Sequence, residues 1–426
     1  MNADQDNEPT GPRQRVLWIS TIAFTLLFAV WLMLGVLGIK IREEMSLTPS
    51  QFEWLLSVAI LAGALPRLNF GIWADRYGGR RMMIYMLLFT AIPTFLLSRA
   101  TDYVELLICA AGFGLAGNSF TVGIAWNSAW FPNRSKGAAL GLFGAGNVGA
   151  SVTKLLAPTL LAVLPAAGIF GGIIPGGWRC LPVIYSGLLI LMAAIVWLGT
   201  PSPDRRPGQG RPMAELLAPL RIVRVWRFSL YYVVVFGAYV ALAAFLPKYY
   251  VDVYSLPLST AGYLTASFIF PASLLRPLGG WLSDRYGPRR VTYTVFSLLV
   301  ICFVLLSLPA NILPLNATAF CFVMLLVGCG MGIGKASVFK YVPDYFPRDV
   351  GAVGGLVGML GALGGFLLPP AFGMLGRWGG SPQFAFIALL FLTVISLAWL
   401  HGAVRAIKNT ANTLSRPEIM TVTAKG

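Results

Sequence analysis

Two arginines inside long apolar runs are the first groups that need explaining. Arg67 and Arg276 each open the same fifteen-residue pattern, Arg67-Leu-Asn-Phe-Gly-Ile-Trp-Ala-Asp-Arg-Tyr-Gly-Gly-Arg-Arg81 and Arg276-Pro-Leu-Gly-Gly-Trp-Leu-Ser-Asp-Arg-Tyr-Gly-Pro-Arg-Arg290, aligned without a gap at an offset of 209 residues. An arginine in the hydrocarbon region costs ~2.5 to 3.5 kcal/mol on insertion scales. A cost met twice at equivalent positions calls for a partner, yet no Asp or Glu falls near the middle of an apolar run, since Glu53 opens one and Glu105 and Asp344 lie near ends. The two guanidiniums are therefore expected to face one cavity and bind an anion from opposite sides. A planar fork of donors suits a planar oxyanion. The plainer reading is that both side chains snorkel to the nearer interface, although they lie about two helical turns (roughly 7 residues) from it.

Fewer candidates surround them. Lys335, in Gly332-Ile-Gly334-Lys335-Ala-Ser-Val-Phe-Lys340, and Lys154 are also inside apolar runs. A desolvated lysine can release its proton, so both are candidates for proton coupling or for added anion affinity. For Lys154 and Lys340 the plainer reading is a side chain reaching for the end of its span. Asn147, between Gly146 and Gly149, offers an amide for hydrogen bonding. The single histidine, His401, and five cysteines without paired spacing leave no expected metal, cofactor or disulfide framework. An enzyme would need a His, Cys or carboxylate cluster at one depth; the sequence offers none, and no enzymatic activity is expected.

The elements that must position these groups follow from composition. The chain has 426 residues, 57% hydrophobic and 11% charged, with a mean hydropathy of +0.74, whereas a soluble domain is about a quarter charged. Apolar runs fall near 16–39, 51–74, 82–98, 104–130, 137–164, 181–199, 226–247, 260–283, 291–309, 318–341, 351–375 and 383–404, each long enough to cross a bilayer as a helix of about 20 residues. The first run is too long for the core of a cleavable signal peptide and is expected to remain as a span. Net charge is +16, but the basic residues sit in short clusters without interleaved aromatics, so nucleic acid is not an expected partner. With the N-terminus cytoplasmic, 21 of the 32 Lys and Arg lie in cytoplasmic loops and tails, six on the other side and five within spans, which places both termini inside.

The fold expected is all-α, a membrane protein of twelve transmembrane helices in two pseudo-symmetric six-helix bundles. Its divisions are a cytoplasmic tail (1–15), an N-terminal bundle (16–200), a Pro-, Gly- and Arg-rich cytoplasmic linker (201–225), a C-terminal bundle (226–404) and a second tail (405–426). A second repeat supports the halves: Gly-Ala-Ala-Leu-Gly-Leu-Phe-Gly at 137–144 and Gly-Ala-Val-Gly-Gly-Leu-Val-Gly at 351–358, at an offset of 214. Spans five and eleven carry lines of small residues that let backbones approach closely. In span five Gly137, Gly141, Ala145 and Gly149 form one i, i+4 line, in span eleven Gly354/Gly358 and Gly361/Gly365 do the same, and Gly146 and Gly364 beside them are further close-packing glycines. Close approach leaves a narrow cavity suited to a solute of few atoms. The central loop, roughly 27 residues from Pro201 to Arg227, is too short for a sensor's output domain.

The loop Gly71-x-x-x-Asp75-Arg76-x-Gly78-x-Arg80-Arg81 and its copy from Gly280 to Arg290 resemble the major facilitator superfamily. That resemblance implies alternating access and conformational roles for Gly71, Asp75 and Arg76 and for Gly280, Asp284 and Arg285, the acids latching the outward-facing state. More narrowly, Gly-Leu-Phe-Gly-Ala-Gly-Asn147-Val-Gly149 and Gly355-x-x-Gly358-x-x-Gly361-x-x-Gly364-Gly365-Phe366-x-x-Pro369, with an arginine on each of spans two and eight, resemble the nitrate/nitrite porter family. The resemblance implies a nitrate clamp of Arg67 and Arg276, an amide from Asn147, a phenol from Tyr232 and sandwiching rings from Phe120 and Phe236. Lys335 stands where the better-known exchangers of that family carry an uncharged amide, and in this the chain is similar to the nitrate/proton symporter branch. Implied with it are nitrate, nitrite and protons as partners, a monomer in the lipid bilayer, and import across the cytoplasmic (inner) membrane, with nitrate/nitrite exchange or another small anion as alternatives.

Overall fold

The computed structural model describes residues 10–149, 151, 153, 168, 174–309 and 312–414; Lys154 lies outside them. The membrane helices are α1 (Thr10–Gly38), α2 (Pro49–Tyr77), α3 (Gly79–Leu97) and α4 (Tyr103–Trp130), then α5, which opens as Asn133–Gly144 and tightens into a 3₁₀ turn over Ala145–Val148, and α6 (Gly177–Gly199). The second half holds α7 (Val223–Tyr254), α8 in two segments, Leu258–Leu274 and Arg276–Tyr286, α9 (Pro288–Ser307), α10 (Ala317–Tyr345), α11 (Val350–Gly379) and α12 (Phe384–Ile407). Thr48 and Gln51 form a reciprocal cap at the start of α2, and the Asp102 and Asn316 side chains cap α4 and α10; each satisfies backbone N–H groups the helix leaves unpaired. Ile108, Leu198 and Phe391 are 66%, 80% and 68% exposed, an apolar outer surface that bilayer hydrocarbon covers.

The polar segment Lys40 to Glu44 follows the first apolar run but is helical, as Leu34–Glu44. Lys40 pairs with Glu43 at 2.8 Å, and Glu44 with Arg179 at 2.8 Å. Arg179 also donates to the Ser98 and Ala100 carbonyls, tying the ends of α1, α3 and α6.

Two helix pairs join the halves: the second segment of α8 packs on α5, and the second part of α2 on α11. Glycine makes both contacts possible. A Cβ on Gly71 would strike the Gly351 carbonyl, and one on Gly280 the Gly137 carbonyl. Gly78 and Gly287, which end α2 and the second segment of α8, hold φ of +93° and +82°, a conformation side-chain-bearing residues avoid.

Candidate functional site

Both arginines sit at the first position after a helix break. Pro66 precedes Arg67, and Leu275, followed by Pro277, precedes Arg276. Proline removes a helical N–H and clashes with the carbonyl four residues back. The carbonyl freed by Pro66 is that of Ala62, and the Asn118 amide donates to it at 3.2 Å. Arg67 and Arg276 are 0% and 1% exposed, so neither snorkels.

Their contacts across the halves are equivalent. Arg67 Nη1 donates to the Gly358 carbonyl at 3.1 Å, and Arg276 Nη1 to the Gly144 carbonyl at 3.2 Å; the two glycines are 214 residues apart. The backbones dock the same way, since a Cβ on Gly355 would meet the Arg67 carbonyl and one on Gly141 the Arg276 carbonyl. Arg67 also donates through Nε to the Gly63 carbonyl at 2.8 Å, leaving Nη2 buried without a partner. On Arg276 the buried nitrogen without a partner is Nε, while Nη2 reaches the Tyr232 hydroxyl at 3.5 Å. Neither arginine has an acidic partner among the described residues.

Aromatic rings connect the two. Phe120 lies under Arg276, with the guanidinium carbon 5.1 Å from its centroid, and Phe236 lies 5.9 Å from that of Arg67. Tyr232 stacks between these rings, 6.5 Å from Phe120 and 5.0 Å from Phe236 at interplanar angles of 10° and 13°. Gly361 makes room for Tyr232, whose ring a Cβ there would strike; Gly364 and Gly365 receive Val233 and Val240 instead. Asn147 is buried on the 3₁₀ turn that packs on the first segment of α8, and its amide nitrogen has no hydrogen-bond partner. Gly146 and Gly149 pack on Phe24 and Thr25 of α1. Lys335 is fully buried, donates to the Ala272 carbonyl at 3.0 Å and lies 3.1 Å from the Tyr239 centroid.

The ends of α2 and of the second segment of α8 are fastened by the two acids of the repeat. Asp75 accepts from the Gly351 and Ala352 N–H groups at 2.8 and 3.3 Å. Asp284 accepts from those of Gly137 and Ala138 at 2.9 and 2.7 Å. Asp75 thus holds the first turn of a helix in the opposite half, where an anion is favoured by the exposed N–H groups, and Asp284 holds the fifth and sixth residues of Asn133–Gly144. Arg76 and Arg285 take no part in these bonds and lie over Tyr77 and over Trp281 and Tyr286.

Several fasteners escaped the sequence reading. Lys340 does not reach for a span end; it is 4% exposed, 2.8 Å from Asp284 and 3.3 Å from Asp344. At the Asp75 side the linker replaces it. Gly208 donates its N–H to the Asp75 carbonyl, Arg211 pairs with Asp349 at 2.7 Å, and Leu216 is buried against Ile72 and Ala352. Asp204 accepts from the Trp126 and Trp130 indoles and from the Arg80 N–H. Trp31, whose centroid is 5.4 Å from the Arg67 guanidinium, is also new to the site. Nothing local in the sequence distinguishes Asp204 or Arg211 from other linker charges.

Residues 19–369 match the family described as the Major Facilitator Superfamily, as do residues 256–419. A Thermus thermophilus protein named "Probable nitrate/nitrite antiporter NarK1" is 59% identical over 403 residues, 91% of each chain. The chain belongs to the nitrate/nitrite porter family of that superfamily. It is a transporter and not an enzyme. The "Nitrite extrusion protein" of Bacillus subtilis is 29% identical over 91% of this chain and 95% of its own. Among solved structures, the transporter FucP in its outward conformation superposes with a TM-score of 0.72 at 15% identity, over 90% of this chain and 97% of that one. At that identity the likeness concerns the fold, and it places the porter's twelve helices in the two halves of the family architecture.

Proposed function

We propose that the chain imports nitrate across the cytoplasmic membrane by alternating access, both termini inside, with the ion bridging Arg67 and Arg276. One observation carries the reading: Arg67 Nη2, Arg276 Nε and Asn147 Nδ2 are buried donors without partners, beside two guanidiniums that lack an acid. Buried donors of this kind are costly unless something accepts from them. A small planar anion supplies acceptors in the plane of the forks and faces for rings. Phe120 and Phe236 would sandwich it and Tyr232 would contribute its phenol, moving from its position between them. The relatives named for nitrate and nitrite support that anion class.

Import of an anion into a compartment negative inside is opposed by ~2.3 kcal/mol per charge per 100 mV. Proton symport with two or more H⁺ is the coupling we favour, with Lys335 as a carrier. Arginine keeps its proton in proteins, whereas a lysine can give one up. Lys154 is a further candidate for this role. A second reading, nitrate/nitrite exchange, is favoured by the name of the Thermus relative.

Flux into proteoliposomes holding the purified protein and a luminal pH dye separates the two. Acidification accompanying nitrate entry into nitrite-free vesicles is the expected result. Entry only into nitrite-loaded vesicles, without a pH change, would make the protein an exchanger; no nitrate flux under either condition would remove nitrate as substrate.

A further inference from the structure

The halves repeat around the arginines except at Nε and at Nη2, the latter bonded only on Arg276, to the Tyr232 hydroxyl at 3.5 Å. Gly63 and Ala272 are equivalent residues, 209 apart and four before their arginines. In the first half Arg67 Nε donates to the Gly63 carbonyl at 2.8 Å. In the second half the equivalent carbonyl, that of Ala272, is occupied by Lys335 Nζ at 3.0 Å, and Arg276 Nε is the buried donor left without a partner. Lys335 thus stands where the Arg276 side chain would otherwise bond to its own helix.

Resting on the anion reading above, we propose that Lys335 is a proton-operated positioning residue that decides whether Arg276 Nε is available to the transported anion. The protonated amine holds the Ala272 carbonyl by a charge-assisted bond and the Tyr239 ring by a cation–π contact, its nitrogen 3.1 Å from the centroid. The Nε–H then remains free for the anion. When the amine gives up its proton, both attractions weaken, and Arg276 Nε takes the Ala272 carbonyl as Arg67 takes that of Gly63. One donor leaves the anion site with each proton released.

The surroundings suit this exchange. From α8 Lys335 is faced by Arg276 and by Ser273, and from α7 by Tyr239, whose hydroxyl is bonded to Ser273 at 3.1 Å, and by the Phe236 ring at 5.8 Å. No carboxylate pairs with it among the described residues. A bound anion beside Arg276 favours the charged amine, and an empty site leaves two like charges together, so proton and anion bind cooperatively. By reciprocity, each raises the affinity for the other by the same factor.

The test is a nitrate titration by calorimetry between pH 5 and pH 9 on the full-length protein in detergent, for wild type, Lys335→Arg and Lys335→Met. Wild-type affinity is expected to fall on raising the pH by roughly 10- to 100-fold, the worth of one charge-assisted hydrogen bond. Lys335→Arg, a donor that keeps its proton, is expected to hold the tight value at every pH. Lys335→Met is expected to hold the weak one throughout. A pH slope retained in Lys335→Arg, or wild-type affinity in Lys335→Met, would overturn the proposal, and since the arginine variant keeps charge and donor, misfolding does not confuse that outcome. A wild type that transports nitrate but binds it equally at all pH overturns the switch alone. No nitrate binding by wild type overturns both the switch and the nitrate reading.

Discussion

Each guanidinium is asked for bonds in directions that one ammonium nitrogen cannot cover. Arg67 spends Nε on Gly63 and Nη1 on Gly358 and still has Nη2 to offer; a lysine carries its three donors on one atom and cannot span these directions. Arg67→Lys and Arg276→Lys are therefore expected to lower nitrate uptake at least 100-fold, roughly 3 kcal/mol of lost charge-assisted bonding, in a protein that still elutes as a single species. Uptake within a few-fold of wild type would take that arginine out of the site. Small residues beside them give an unequal pair of predictions. A Cβ on Gly144 would lie 2.7 Å from Arg276 Cζ and Nε, whereas one on Gly358 would make ordinary contacts of 3.5 and 3.6 Å with Thr121 and Arg67. Gly144→Ala should weaken nitrate binding at least tenfold, about 1.4 kcal/mol, and Gly358→Ala far less, as read from competition in uptake. The arginines and their symmetry were legible because the repeat and the cost of burial both act on residue type. Which nitrogen is left over was not, since it depends on an amine, that of Lys335, brought by another helix to the Ala272 carbonyl.

The elements that hold the arginines owe their shape to proline and glycine. Breaks at Pro66 and Leu275 turn one carbonyl out of each helix, and the glycines of α5 and α11 let the opposite half come close enough to receive each guanidinium. Those glycine lines read in sequence as helix packing, and they are that, but the packing is of two kinds: Gly141 and Gly358 face the opposite half, whereas Gly149 packs on α1 and Gly361, Gly364 and Gly365 on α7 of their own halves. The two latches are equivalent in their acids and unlike in their support. Lys340 braces Asp284, while the linker braces Asp75 through Gly208, Arg211 and Leu216. Repeats reveal what is duplicated, so the linker, which has no copy, gave no signal. Arg211→Gln should therefore loosen one latch only. Amide hydrogen exchange at Gly351 and Ala352 is expected to quicken about fivefold, the worth of a partly exposed ion pair near 1 kcal/mol, with Gly137 and Ala138 unchanged. Equal acceleration at both sites would mean that the latches open as a unit.

At the scale of the molecule, the bonds of both acids join the ends of α2 and α8 to the opposite half, and the same helix pairs, α2 with α11 and α5 with α8, carry the acids and the arginines. With the proposed anion bridging the arginines, rocking of the halves would break the acid bonds and leave the arginines joined through that ion, a division of labour that needs the two sets of contacts at different depths. The number of spans, the halves and the face that bears the arginines follow from hydropathy and the repeat. The state in which the halves meet does not, because hydropathy and the repeat concern each half by itself. The charge moved per cycle separates the coupling modes without reference to any one side chain. With two protons entering for each nitrate, one net positive charge crosses, and a potential of 100 mV negative inside contributes ~2.3 kcal/mol, or about 50-fold in the accumulation ratio. Imposing that potential with valinomycin and a potassium gradient across proteoliposomes at equal pH on both sides should raise steady nitrate accumulation by that order. One-for-one exchange of nitrate for nitrite moves no net charge, and neither does symport with a single proton, so accumulation indifferent to the potential would exclude the two-proton cycle.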